Sequence, residues 1–202
     1  MAASEPFVVF PAPPARAKPI RAVRSTLVTS GLAILHARGL FDRYAKALDA
    51  RYHDEMRGVV AASWLSTEFM QAHYAAWDSL GLSPAEVRTI GRTIASGVRD
   101  TLQLAVKHLA SGVGATPWTV MAQYGRLWSR SFDGGGVRVD RLGPKEAGVL
   151  FSEIPFARSA YFRGSLLAFH EDALGLFASK MYARISPSTI GLTAFEIRLS
   201  WV

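Results

Sequence analysis

The chain has 202 residues, half of them apolar, which is enough to build one sizeable core. It contains no cysteine, which excludes disulfides, thiolate catalysis and cysteine-ligated zinc or iron–sulfur clusters. The formal net charge of +7, from 23 Lys and Arg against 16 Asp and Glu, admits nucleic acid, acidic lipid or acidic proteins as partners, but the arginines are scattered rather than massed in one run.

Residues 1 to about 20 carry five prolines and no helical period, which predicts an extended or disordered arm. Arg16, Lys18, Arg21 and Arg24 make its second half basic, and these four are candidate partner-binding residues. The reading sets residues 1–24 apart from a single α+β domain over 25–202, divided into a helical half, 25–132, and a sheet half, 133–202. From Ser30 the spacing turns helical, with Leu32, Leu35, His36, Leu40, Tyr44 and Leu48 mostly three or four apart and Gly39 splitting the run in two. Ser66 is the expected N-cap of the next helix, with Glu68 in its first turn and Phe69, Met70, His73, Trp77 and Leu80 on one face. Gly81 is the expected C-cap. Ser83-Pro84 then starts a helix through Val87, Ile90, Ile94 and Val98. "RDTLQLAVKHLASG" continues the pattern to Gly112, and "TPWTVMAQYGRLWSRSF" places Trp118, Met121, Gly125 and Trp128 on one stripe.

Gly134–Gly136 mark a change from helical to alternating period. Residues 137–154 read as a β-hairpin around the turn "GPKEAG". "ARSAYFRGSLLAFHEDALGLFA" reads as one helix burying Phe162, Leu166, Phe169, Ala173 and Phe177, and two further strands end the chain. The predicted class is therefore α+β: an N-terminal helical half followed by a ββαββ antiparallel sheet unit. The glycines do not make a phosphate loop, because they follow a helix, open a strand and precede no Lys-Ser/Thr pair. They are read as a flexible connector.

Catalytic motifs are missing from the sequence. It has no Gly-x-Ser-x-Gly elbow. His170-Glu171 begins like a zincin helix, but Leu174 stands where the second histidine belongs, and His53-Asp54-Glu55 has no partner at metal spacing. The chain is read as a non-enzyme. His73 lies four residues from both Phe69 and Trp77 on an apolar helix face; His108 and Trp118 lie on later helices. His73, Trp77, His108 and Trp118 are the candidate ligand-binding residues, set against the plainer reading of all four as core.

The stretches "SWLSTEFMQAHYAAWDSLGLSPAEVRTIGRTIASG" and "TPWTVMAQYGRLWSRSFDGGGVRVDRLGPKEAGVLFSEIP", followed by a helix and "AFEIRLSW", resemble a paralogous family of bacterial proteins, typical of myxobacteria, whose function is unassigned. The layout is also similar to a wider group of haem–nitric-oxide-binding, vinyl-reductase-like and TRAPP-like α+β domains. In that group a helical half leads into a small antiparallel sheet with a crossover helix. The resemblance covers residues 25–202 and implies a ligand-sensing or assembly module. Haem-binding members carry Tyr-x-Ser-x-Arg. Here Tyr161 is followed by Phe162, Arg163, Gly164 and Ser165, a departure that puts haem in doubt, and the cofactor stays unnamed.

The sequence thus points to a sensory or adaptor domain that binds an apolar small molecule or a partner protein where helices meet sheet. A structural subunit or adaptor in a larger or self-associating assembly is one alternative, and a basic nucleic-acid-associated protein is another. No apolar run reaches the ~18 residues that a membrane span needs, and the N-terminus lacks a secretory pattern, so a cytoplasmic location is expected.

Overall fold

The computed structural model describes residues 6–60, 62–95 and 116–202. The helical half contains α1 (Thr26–Ala37), α2 (Phe41–Ala47), α3 (His53–Arg57), α4 (Thr67–Asp78), α5 (residues 84–95), α6 (Pro117–Met121) and α7 (Tyr124–Ser131). The sheet half contains β5 (Gly136–Gly143), β6 (Glu146–Ser152), α8 (Ala160–Gly175), β7 (Met181–Ile185) and β8 (Phe195–Trp201). This is the α+β arrangement with a ββαββ unit that the sequence predicts. Val98, His108 and the rest of "RDTLQLAVKHLASG" lie outside the described residues.

The helix ends follow their local chemistry. Ser66 Oγ accepts from the Phe69 N–H at 3.2 Å at the start of α4. Ser83 and Glu86 cap α5 reciprocally: the Ser83 N–H donates to Glu86 Oε2 at 2.8 Å, and the Glu86 N–H donates to Ser83 Oγ at 3.3 Å. Gly39, at φ +65, closes α1 and lets the chain re-enter α2. The single helix expected over residues 116–132 is instead two, α6 and α7, broken at Ala122 and Gln123.

The structure also corrects the readings of the N-terminal arm and of the glycine connector. The separate N-terminal arm is part of the folded structure over its described residues. Pro6–Phe10 (β1) pairs antiparallel with β5, giving the large sheet the order β1-β5-β6-β8-β7. Ala22–Arg24 (β2) is the middle strand of a second sheet, between β3 (Trp64–Ser66) and β4 (Phe132–Asp133). Pro11, Pro13, Pro14 and Pro19 fall between these strands, where a missing N–H breaks no ladder. The short apolar runs around them pack: Ile20 is 2% exposed and Val23 is fully buried.

The second correction concerns the glycine connector, which is tightly held. Gly134 and Gly135 have φ of +99 and +70, a region that side chains avoid. A Cβ on Gly134 would strike the Pro19 carbonyl, and one on Gly135 would come within 2.9 Å of Ile20 and Trp128. The Gly135 N–H donates to the Lys18 carbonyl at 2.7 Å, and Trp128 Nε1–H donates to the Gly134 carbonyl at 2.8 Å.

Helix α8 covers the inner face of the large sheet. His170 lies edge-on to Phe151 and Phe162 edge-on to Phe195, at centroid distances of 5.6 and 6.0 Å. The buried residues of α8 are Tyr161, Phe162, Leu167, Ala168, His170 and Leu174. Of the stripe expected from spacing, Leu166, Phe169, Ala173 and Phe177 are only half-buried.

Candidate functional site

A cavity of about 410 Å³ opens among α1, α4, α5, α7, β4 and α8, within the size range of small-molecule sites. Helix α1 contributes Thr26, Leu27, Thr29 and Ser30, and α4 contributes His73 and Tyr74. Helix α5 contributes Gly91 and Ile94; Leu127, Arg130, Ser131 and Phe132 come from the end of α7 and the start of β4. Helix α8 adds Tyr161, Phe162, Ser165, Leu166 and Phe169. The two residues of the expected α8 stripe that stay half-buried at its centre, Leu166 and Phe169, thus face this space rather than the sheet.

The floor is set by a close helix crossing. A Cβ on Gly91 would lie 2.8 Å from Ser165 Cα, so α5 and α8 meet nearly backbone to backbone there. Glu171 on α8 ties the same pair together through Arg88 and Arg92, both at 3.2 Å.

His73 is buried, 2% exposed, and its Nδ1 shares a hydrogen bond of 2.7 Å with the Tyr44 hydroxyl. Its ring stacks at 6.0 Å on Phe69 and meets Trp77 and Tyr74 edge-on. Desolvation pushes its pKa down to about 3, so the imidazole is neutral at physiological pH. Burial also raises the Tyr44, Tyr74 and Tyr161 hydroxyls far above their ordinary value, so these phenols stay protonated. Ser165 Oγ is buried and makes no hydrogen bond of ordinary length among the described residues, although it lies near enough to Tyr161 to favour that phenol's ionised form.

The four candidate ligand residues separate. His73 lines the cavity. Trp77 is next to it but behind the wall, stacked on Tyr161 at 4.1 Å and 7°, with its Nε1 buried and without a hydrogen-bond partner among the described residues. Trp118 is elsewhere, edge-on to Phe7 and Trp201 at 5.2 and 5.0 Å, donating through Nε1 to the Pro144 carbonyl at 2.9 Å. His108 lies outside the described residues. Among the basic candidates, Arg21 pairs with Asp133 at 3.0 Å, and Arg24 lies 4.1 Å over the Trp64 ring and donates to the Ala62 carbonyl at 2.6 Å. Arg16 and Lys18 are exposed. Sequence reasoning missed Tyr44, Arg130, Tyr161 and Ser165. The i, i+4 spacing of Tyr161 and Ser165 on α8 was a usable signal; the pairing of Tyr44 with His73 crosses two helices and left none.

A haem would need an axial ligand and cationic partners for two propionates. Among the described residues the wall offers one imidazole, His73, enclosed by aromatic rings and tied to Tyr44, and one cation, Arg130. By themselves these described residues do not make a haem site. No group of three or more His, Asp or Glu that could hold a metal ion is found among the described residues.

No family model and no curated protein matches the chain. Its fold does match solved structures. A mutant H-NOX protein from K. algicida, in the Fe(II) unliganded state, aligns with a TM-score of 0.63 at 10% identity, covering 89% of this chain and 96% of that one. An H-NOX protein from S. oneidensis in the Fe(II)NO ligation state aligns with a TM-score of 0.56 at 12% identity, covering 89% and 99%. A variant of Tt H-NOX aligns with a TM-score of 0.55 at 8% identity, covering 88% and 94%. The chain therefore has an α+β fold similar to that of H-NOX domains, which agrees with the wider haem–nitric-oxide-binding group to which the sequence layout is similar.

Proposed function

We propose that this chain is a non-enzymatic sensory module that binds one mostly apolar small molecule in the cavity between α1, α4, α5, α7 and α8. The observation that carries this reading is the cavity itself: apolar side chains, scattered hydroxyls and a neutral buried His73, with no nucleophile–base pair facing it among the described residues. Fold likeness supports a sensing role by analogy only. Two of the matched H-NOX proteins are in Fe(II) and Fe(II)NO states, whereas the wall of this cavity favours an organic ligand. Helix α8 gives such a ligand a route to a readout, because one side lines the cavity and another packs on the sheet. Within this reading the chain is a member of the myxobacterial-type paralogous group, acts in the cytoplasm, and passes its signal to a partner protein or a second copy.

The test is a native mass spectrum of gently purified protein with an absorbance scan of the same sample. Extra mass of a few hundred daltons without a Soret band is the expected result. A Soret band would replace the organic ligand with haem. A bare chain that also takes up no amphiphile would overturn the reading and favour an assembly subunit.

A further inference from the structure

We propose that the ligand is an amphipathic monoanion, an aliphatic chain ending in one carboxylate, with its apolar body in the cavity and its head on Arg130. This rests on the reading of the cavity as a ligand site. Three observations single out the charge type. The described lining contains no Asp or Glu, so nothing there balances a cationic ligand. Arg130 is its one cation; it is exposed, so it stands at the mouth, and it makes no ion pair among the described residues. The acid closest in sequence, Asp133, is already engaged by Arg21, whose Nη2 reaches both carboxylate oxygens at 3.1 and 3.0 Å. A guanidinium left free beside an apolar cavity matches a carboxylate by its bidentate donor geometry. One such group matches one negative charge. The interior supplies the remaining chemistry: Leu127, Leu166 and Phe169 for the chain, and the buried Ser165 hydroxyl beside Tyr161 for a single polar substituent.

The experiment titrates the purified full chain with decanoate, decanol and decyltrimethylammonium by isothermal calorimetry, and repeats the series on Arg130→Gln and Arg130→Lys. Decanoate should bind one to one and about tenfold more tightly than decanol. Arg130→Gln should remove that advantage and bring decanoate to about the affinity of decanol in the same variant, while Arg130→Lys keeps part of it. Lengthening the carboxylate from eight to ten carbons should tighten binding by about fourfold per methylene until the cavity is full. If decanol equals decanoate, or Arg130→Gln binds decanoate as the parent does, the anionic head is wrong and the cavity reading stands. If decyltrimethylammonium binds best, the charge assignment is reversed. If none of the three binds, the cavity reading falls with it.

Discussion

His73 and His170 are both buried and neutral, with pKa values pushed down to about 3 and about 4 by desolvation. In the unfolded chain both return to an ordinary value near 6.5. Below that pH the unfolded state binds protons that the folded state refuses, so stability is full above pH 6.5 and falls as the pH drops toward 4. Each histidine contributes up to about 1.4 kcal/mol per pH unit. Urea midpoints between pH 7.5 and 4.5 should fall steeply, and a flat profile would contradict the buried neutral state. Tyr44→Phe removes the partner of His73 Nδ1 in the core and should cost about 1–3 kcal/mol. The double variant Tyr44→Phe/His73→Phe removes both polar groups; it should recover most of that loss and show a shallower acid slope. Denaturation of the single and double variants checks this, and additive losses would show that the pair is not coupled. The position of His73 on an apolar face was legible from its spacing to Phe69 and Trp77. Its partner was not, because Tyr44 lies on a different helix and no local pattern links the two.

Helices α5 and α8 cross at Gly91, where a methyl group would press on Ser165 Cα and Cβ of Ala168 at 2.8 and 2.9 Å. Alanine is the better helix former by about 1 kcal/mol, so propensity alone predicts that Gly91→Ala stabilises. Backbone cannot yield as a flexible side chain can, and the overpacking term of about 1–3 kcal/mol should win. Gly175→Ala meets only Met181 Cβ at 3.9 Å and should be neutral or slightly stabilising. Thermal melts of the two variants decide between the terms, and equal behaviour would mean that the crossing is not tight. In sequence Gly91 reads only as a weak point in a helix. Close approach of a neighbour is a tertiary property, and nothing within α5 announces it. The α8 stripe was misread for a related reason: the helix is buried on the sheet side and lined by the cavity on another, and its apolar residues mark both faces at once.

Removing residues 1–10 would strip β1 from β5 and uncover an edge of the large sheet that Pro6–Phe10 now covers. It would also take Phe7 from beside Trp118. The truncated chain should melt at a lower temperature and self-associate through the bared edge. Melting and light scattering after size exclusion check this, and an unchanged oligomeric state with an unchanged melting temperature would show that the β1 pairing is dispensable. The ββαββ unit was legible because its longer strands alternate cleanly, as Phe195, Ile197, Leu199 and Trp201 do against Glu196, Arg198 and Ser200. The second sheet was not, since Ala22–Arg24, Trp64–Ser66 and Phe132–Asp133 are two or three residues each, too short for alternation to show.

The pairing of β1 with β5 joins residues 6–10 to residues 137–140. During synthesis the first strand leaves the ribosome long before its partner exists, so the outer edge of the large sheet cannot form until most of the chain has been made. Non-local pairings of this kind slow folding, because loop-closure entropy is lost before the contact rewards it. The apolar run Phe7–Phe10 is left unpaired throughout that interval, which makes the nascent chain a natural substrate for holding chaperones and makes slow refolding from denaturant the expected behaviour in vitro.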